Sequence, residues 1–153
     1  MSWLELRVPP PVVAGLVALL MWFVADRLPV ADFTLPVKGI LAGTFATVGI
    51  AIGLIAFFQF RKAATTVHPM KPQESSALVA GGVYRFTRNP MYLGMLLILT
   101  AWGLWLANAA ALLALPLFVA YISRFQIAPE ERALEARFGA SFADYRRAVR
   151  RWL

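Results

Sequence analysis

The sequence has no cysteine and a single histidine, His68, among its 153 residues. The lack of cysteine excludes disulfides, thiolate metal sites and cysteine nucleophiles. One histidine cannot build a histidine-rich metal site, so no metal is expected. Charge is scarce too: 15% of the residues are charged and 60% are hydrophobic, whereas about a quarter of residues are charged in a typical soluble domain. These shortages exclude an ordinary soluble domain.

The hydrophobic residues instead lie in long uncharged blocks, which predict transmembrane helices. Residues 8–25 and 39–60 are each long enough for one crossing of a bilayer. Residues 89–123 also carry no charge, but at roughly 1.5 Å rise per residue this run is too long for one crossing. We therefore expect it to fold into a hairpin that turns near Ala107-Asn108.

The blocks together predict an all-α integral membrane protein that forms one domain over residues 1–153. We expect four transmembrane helices, the last two forming a helical hairpin, followed by a C-terminal cytoplasmic amphipathic helical segment. The expected spans are about residues 9–27, 38–60, 89–107 and 109–126, with a cytoplasmic loop at 61–88 and C-terminal helices at 129–153.

Lysine and arginine are distributed unevenly between the segments that flank the spans. Residues 61–88 contain five of them and residues 124–153 contain seven, against two in residues 27–38 and none in the hairpin turn. Because cytoplasmic segments carry the excess of these residues, we expect both termini in the cytoplasm and the protein in the inner membrane of a bacterium. The formal net charge of +7, placed in this way, indicates a lipid bilayer as partner and no nucleic acid.

The second predicted span contains glycines at small-xxx-small spacing, Gly39/Gly43 and Gly49/Gly53. In lipid this spacing allows a neighbouring helix backbone to approach closely. The contacts could lie within one chain or between chains, so the sequence leaves the oligomeric state open.

Two polar clusters flank the hairpin on its cytoplasmic side. The first contains Tyr84 and Tyr92, and the second is the pair Glu130-Glu131. A carboxylate can bind a ligand ammonium group, and a tyrosine face suits an adenine or a sulfonium cation. A ligand that joins an amino acid, a cation and adenosine would satisfy both clusters. The alternative is structural: glutamates complement a helix N-terminus, and tyrosines anchor a membrane interface.

Two longer strings then give a resemblance. Leu78-Val79-x-x-Gly82-Val83-Tyr84-x-x-x-Arg88-Asn89-Pro90-x-Tyr92-x-Gly94 resembles the signature of the isoprenylcysteine carboxyl methyltransferase and phospholipid methyltransferase families, and Glu130-Glu131-x-x-Leu134-x-x-x-Phe138-Gly139-x-x-Phe142-x-x-Tyr145-x-x-x-Val149 resembles their C-terminal motif. The resemblance covers about the second half of the chain. It implies an integral-membrane enzyme that uses S-adenosyl-L-methionine.

The resemblance also implies a set of site residues, although it identifies no catalytic residue and no general base. Arg124 and Gln126 are expected on the substrate side. The residues expected to bind the cofactor are Ser76, Ala77, Leu78, Val79, Tyr84, Arg88, Asn89, Pro90, Met91, Tyr92, Gly94, Glu130 and Glu131.

Three positions depart from the isoprenylcysteine pattern. Isoprenylcysteine enzymes typically have histidine at the position of Asn89 and often have histidine at the position of Ser76. They also have an arginine on the substrate side at the position of Gln126. Asn89 looks more like the phospholipid branch.

The expected function is methyl transfer to a lipophilic acceptor at the cytoplasmic membrane face. The acceptor could be an isoprenylcysteine-like carboxylate, a phospholipid headgroup or another small lipophile. The alternative is a non-catalytic small membrane scaffold or lipid-binding protein.

Overall fold

A computed structural model describes residues 5–62 and 78–153. Within these ranges there is no β-strand, and one isolated bridge pairs Asp32 with Asn108. The α-helices are, in chain order, α1 (Pro10–Arg27), α2 (Lys38–Lys62), α3 (Pro90–Leu106), α4 (Ala109–Leu112), α5 (Ala114–Ile122), α6 (Ala128–Phe138) and α7 (Ala140–Ala148). The all-helical prediction is confirmed for this part of the chain.

Several of the helices are able to cross a membrane. By length and hydropathy these are α1, α2 and the stretch Ala109–Phe138, while α3 is a shorter apolar helix of 17 residues. The hairpin turn falls where it was predicted: α3 ends at Leu106, Ala107 has a positive φ of 52°, and Asn108 caps α4. The count of four crossings stays a prediction.

A shared apolar core joins α1, α3 and α5. Its central side chains include Met21 of α1, Leu99 of α3 and Phe118 of α5, and Met21 and Phe118 are completely buried. On its outward faces the bundle exposes large apolar side chains, among them Leu16, Ile40 and Leu117. Such faces suit contact with lipid rather than with water.

Glycines bring α2 against α3. A Cβ atom on Gly94 would lie 2.6 Å from the carbonyl oxygen of Gly49, and one on Gly49 would lie 2.7 Å from the carbonyl oxygen of Gly94. The two backbones are therefore in direct contact, as small residues permit in membrane helices. Of the two glycine pairs predicted for helix packing, Gly49/Gly53 serves this contact, and Gly43 meets open space.

One end of the bundle is closed by Asn108, which is completely buried. Its side chain accepts from the amide of Ala111 at 2.9 Å and donates to the carbonyl of Leu28 at 2.9 Å and to Asp32 Oδ1 at 2.7 Å. These bonds fasten the α1–α2 link to the hairpin turn. The opposite ends of the long helices consequently face the other side of the bundle, where the predicted site residues lie.

Two prolines shape the last long helical stretch. Pro116 has no N–H to donate to the carbonyl of Leu112, and the helix is interrupted at Leu113 between α4 and α5. Pro129 likewise leaves the carbonyl of Phe125 free, and this oxygen accepts from the amide of Leu6 at 3.0 Å. Between the two prolines, Ser123–Ile127 forms a π-helical turn.

The predicted C-terminal helical segment 129–153 needs correction at both ends. Its first helix is α6, which begins at Ala128 and continues from α5 through the π-turn without a break. Its second helix, α7, ends at Ala148, and Val149 is extended (φ −127°, ψ 134°). The last residues therefore leave the helix.

Candidate functional site

The first turns of α3 and α6 meet at the end of the bundle away from Asn108. Tyr92 is the third residue of α3, and its hydroxyl donates to Glu130 Oε1 at 2.5 Å. Glu130 is the third residue of α6. Tyr92 is 7% exposed, so this hydrogen bond is largely shielded from solvent.

The neighbouring carboxylate, Glu131, binds two arginines. Arg88 Nη2 donates to its Oε1 at 2.7 Å. Arg151 donates to both of its oxygens, from Nη2 to Oε2 at 2.5 Å and from Nε to Oε1 at 3.2 Å. The side chains of Arg88 and Glu131 are 10% and 12% exposed, so this ion pair is shielded from solvent, and losing one partner would leave a costly buried charge.

Arg88 is also tied to the end of α7. Its Nη1 donates to the carbonyls of Arg146 at 3.0 Å and Val149 at 2.5 Å. Its Nε is buried and has no hydrogen-bond partner in the described part of the chain. Arg88 thus holds the loop before α3 against α6 and α7. Its Nε–H remains a donor without a partner among the described residues.

Asn89 occupies the N-cap position of α3, but its side chain makes no capping bond. Its Nδ2 instead donates to the carbonyl of Arg151 at 2.8 Å, and its backbone amide donates to Thr87 Oγ1 at 3.1 Å. The side chain of Asn89 therefore bonds to the C-terminal end of the chain and not to the backbone of its own helix.

Tyr84 supplies a second unpartnered donor. Its hydroxyl is buried without a hydrogen-bond partner in the described residues, and its carbonyl accepts from the Tyr145 hydroxyl at 2.7 Å. Burial raises the pKa of Tyr84 above its ordinary value, and Tyr145 and Glu130 nearby add to the effect. Burial likewise raises the pKa of Tyr145 to about 12, against the opposing charge of Arg88. Both phenols therefore stay protonated near neutral pH.

The loop that carries Tyr84 is held by α2. Gly82 has a positive φ of 58°, and a Cβ atom there would overlap the side chain of Gln59. Gln59 Oε1 accepts from the amide of Val83 at 3.2 Å. A cleft of about 300 Å³ opens beside this contact and is lined by Gln59, Lys62, Val79, Gly81 and Gly82.

The structure thus brings together Tyr84, Arg88, Asn89, Tyr92, Glu130 and Glu131, while Leu78 and Val79 lie half-buried at the start of the loop. Pro90 is buried as the first residue of α3, and Met91 is half-buried beside it. Ser76, Ala77 and His68 lie outside the described residues. Gly94 was expected to bind the cofactor, but it contacts Gly49 of α2, and this helix packing explains why the position is a glycine.

The two residues expected on the substrate side contact residues 5–9 before α1, which we call the N-terminal arm, or lie beside them. Gln126 is completely buried and donates from Nε2 to the carbonyl of Val8 at 2.6 Å. Arg124 donates to Glu5 Oε1 at 3.0 Å, and Arg132 donates to Glu5 Oε2 at 2.7 Å. These contacts hold the arm against the π-turn, and they give Arg124 and Gln126 structural roles of their own.

Comparison with known proteins identifies the family. The family model named "Phospholipid methyltransferase" matches residues 37–141, which is more than half of the chain. The chain belongs to the phospholipid methyltransferase family. The predicted membership is confirmed, and the family implies a methyltransferase that acts on lipophilic substrates.

One relative of this family member is a Haemophilus influenzae protein described as uncharacterized. It is 52% identical over 63 residues, which cover 41% of this chain and all of that protein. No solved structure matches the chain.

Arg151 and Trp152 contact the site region but were missed by sequence reasoning. The sequence contains four arginines at positions 146, 147, 150 and 151, and nothing in its pattern separates Arg151 from the others. Both residues also lie beyond residue 141, where the family match ends.

Proposed function

We propose that this protein transfers a methyl group from S-adenosyl-L-methionine to a lipophilic acceptor at the cytoplasmic surface of a membrane. The family match supports methyl transfer. The observation that carries the assignment of a site is the hydrogen bond between Tyr92 and Glu130, which lies beside the Arg88–Glu131 pair. Each pair joins a residue of the first predicted half of the pocket, Arg88 or Tyr92, to a residue of the second, Glu130 or Glu131.

The described residues fit the chemistry of this co-substrate. The Glu130 carboxylate suits the ammonium group of its amino-acid part. Among the described residues, the Tyr84 hydroxyl and Arg88 Nε are buried donors without partners. A buried polar group in that state is stabilised by a ligand atom that accepts its hydrogen bond. The aromatic faces of Tyr84 and Tyr92 suit a sulfonium cation or an adenine ring.

The reaction proposed is a direct displacement. The acceptor's nucleophilic atom forms a bond to the methyl carbon as the carbon–sulfur bond breaks, and the electron pair stays on sulfur in the departing S-adenosylhomocysteine. The chain would contribute by aligning the two reactants, which can lower a barrier by several kcal/mol, and by excluding water from the reacting cation.

The same arrangement supports a proposal for the membrane orientation. The N-terminal arm contacts the π-turn through Leu6 and Phe125, so the arm and the C-terminal helices share the end of the bundle that holds the site. We place this end in the cytoplasm because it carries most of the lysines and arginines. A lipophilic acceptor would then enter sideways from the bilayer between helices, and the water-soluble co-substrate would arrive from the cytoplasm.

Calorimetric binding of S-adenosylhomocysteine to the purified protein in detergent tests the proposal. We expect micromolar affinity that is weakened at least tenfold in Glu130→Ala, on the order of one lost charge-assisted interaction. Glu135→Ala is the matched control, since Glu135 is exposed on the same helix and pairs with Arg146.

Transfer of labelled methyl groups into a membrane lipid extract, with identification of the labelled product, would then define the acceptor. A well-folded sample that binds no S-adenosylhomocysteine would contradict the proposal and support a non-catalytic scaffold.

A further inference from the structure

Residues 149–153, which we call the tail segment, cross the site end of the bundle after α7. Val149 is extended, and the turn out of α7 is closed by a bond from its amide to the carbonyl of Tyr145 at 3.0 Å. The tail segment lies beyond the residues that the family model matches. Its contacts are thus a property of this chain that the family assignment does not describe.

The backbone of the tail segment binds the loop that leads into α3. The amide of Arg88 donates to the carbonyl of Arg150 at 3.0 Å. The carbonyl of Arg151 accepts from Asn89 Nδ2 at 2.8 Å and from Thr87 Oγ1 at 3.3 Å. Three consecutive loop residues are therefore held by two consecutive carbonyl groups.

The side chains of the tail segment bind the other half of the site. Arg151 donates to both carboxylate oxygens of Glu131, and Trp152 Nε1 donates to Ser123 Oγ at 3.0 Å in the π-turn. The Trp152 ring packs against the apolar core. The tail segment therefore connects the loop before α3, the first turn of α6 and the π-turn.

We propose that Arg151 is a positioning residue for the methyl transfer. This inference rests on the proposed function. Arg151 holds Glu131 through its side chain and Asn89 through its carbonyl. Glu130 and Glu131 are adjacent in the first turn of α6, so a contact that holds Glu131 also fixes the position of Glu130. Asn89 and Tyr92 both belong to the start of α3, so a contact that holds Asn89 also fixes the position of Tyr92. Arg151 thereby sets the separation of Tyr92 and Glu130.

The geometry favours arginine over lysine at this position. A guanidinium group presents a planar pair of donors that matches the two oxygens of a carboxylate, whereas an ammonium group acts as a point charge. The Arg151 side chain is 41% exposed, so a lysine can be accommodated without a cavity. Arg151→Lys therefore keeps the charge and removes the two-point contact.

Arg150 provides the matched control. It is adjacent, has the same side chain and is exposed, and it contributes its backbone carbonyl to the tail contacts, which a substitution preserves. The variants to compare are Arg151→Met, Arg151→Lys and Arg150→Met in the full-length chain. The measurements are the Kd of S-adenosylhomocysteine, and KM and kcat for labelled methyl transfer to the lipid extract.

We expect Arg151→Met to raise the Kd of S-adenosylhomocysteine and the KM of S-adenosylmethionine about tenfold, as loss of a charge-assisted two-point contact would. Arg151→Lys should give an intermediate increase, and Arg150→Met should stay within about twofold of the wild type, as a surface substitution usually does. A purely structural role would lower the amount of active protein, and hence the apparent kcat, with Kd and KM unchanged.

The outcomes separate the two proposals. A wild-type protein that binds no S-adenosylhomocysteine would overturn the proposed function. Wild-type binding together with unchanged Kd and KM in both Arg151 variants would overturn the role of Arg151 alone. Failure of both Arg151 variants to fold would assign Arg151 to stability and would also overturn it.

Discussion

The hydroxyl of Tyr92 donates a 2.5 Å hydrogen bond to Glu130 Oε1. The bond joins two first helical turns that are 38 residues apart in sequence, and it lies beside a second carboxylate that is held by two arginines. Adjacent glutamates on one helix thus have different surroundings, and they are expected to respond differently to substitution.

Tyr92→Phe should weaken binding of S-adenosylhomocysteine about tenfold, because Glu130 loses the donor that orients its carboxyl group and a hydrogen bond contributes up to about 1.5 kcal/mol. Calorimetry in detergent measures the change. Tyr121→Phe is the control, since Tyr121 belongs to α5 and its ring packs against Phe125. If both variants bind S-adenosylhomocysteine with equal affinity, Tyr92 does not belong to the pocket.

Glu131→Gln should lower thermal stability more than Glu130→Gln does. Removing the Glu131 charge leaves Arg88 and Arg151 beside each other without their shared anion, and breaking a buried ion pair costs about 3 kcal/mol. Glu130→Gln should instead act mainly on S-adenosylhomocysteine affinity. Thermal unfolding and calorimetry on both variants check this division, and the reverse pattern would assign the ligand to Glu131.

Gly94→Ala should destabilise the protein by about 1–3 kcal/mol, the usual cost of overpacking, because the new methyl group meets the carbonyl of Gly49 at 2.6 Å. Thermal unfolding in detergent is the measurement. Gly43→Ala is the control: its methyl group meets open space, and it should change stability by no more than about 1 kcal/mol in the stabilising direction. Unchanged stability with lost ligand binding in Gly94→Ala would restore this glycine to the cofactor site.

Asn108→Ala should destabilise the bundle by about 2 kcal/mol, since the carbonyl of Leu28 loses a buried donor and α4 loses its cap. Asn108→Asp keeps the acceptor for Ala111 but loses the donor, and it places a second carboxylate beside Asp32. Both variants should bind S-adenosylhomocysteine with unchanged affinity below their unfolding temperatures. A loss of affinity would show that the two ends of the bundle are coupled.

Much of the fold could be predicted because a bilayer imposes strong patterns. A backbone in hydrocarbon must satisfy its own hydrogen bonds, so long apolar runs become helices. The overlong run 89–123 therefore had to turn, and Asn108 was found at the turn as its capping residue. The turn near Ala107-Asn108 was predicted from the length of the uncharged run, which is a local property of the sequence.

The boundary between the last long helix and α6 could not be predicted from Pro129. Proline usually opens a helix, but here the π-turn carries the helix through, and the carbonyl that Pro129 frees is taken by Leu6. The amide that satisfies it lies more than a hundred residues earlier in the chain. Such a partner is a property of the tertiary structure.

By itself the sequence determined the helices, the two motif strings and the family, because apolar run length and residue spacing are local properties. Only the tertiary structure decided which partner each polar residue takes. It paired Tyr92 with Glu130, gave Arg88 to Glu131 and to the end of α7, placed Gly94 against α2, and brought Arg151 from the end of the chain into the site. These choices depend on distances between segments that are far apart in sequence, and residue spacing does not encode such distances.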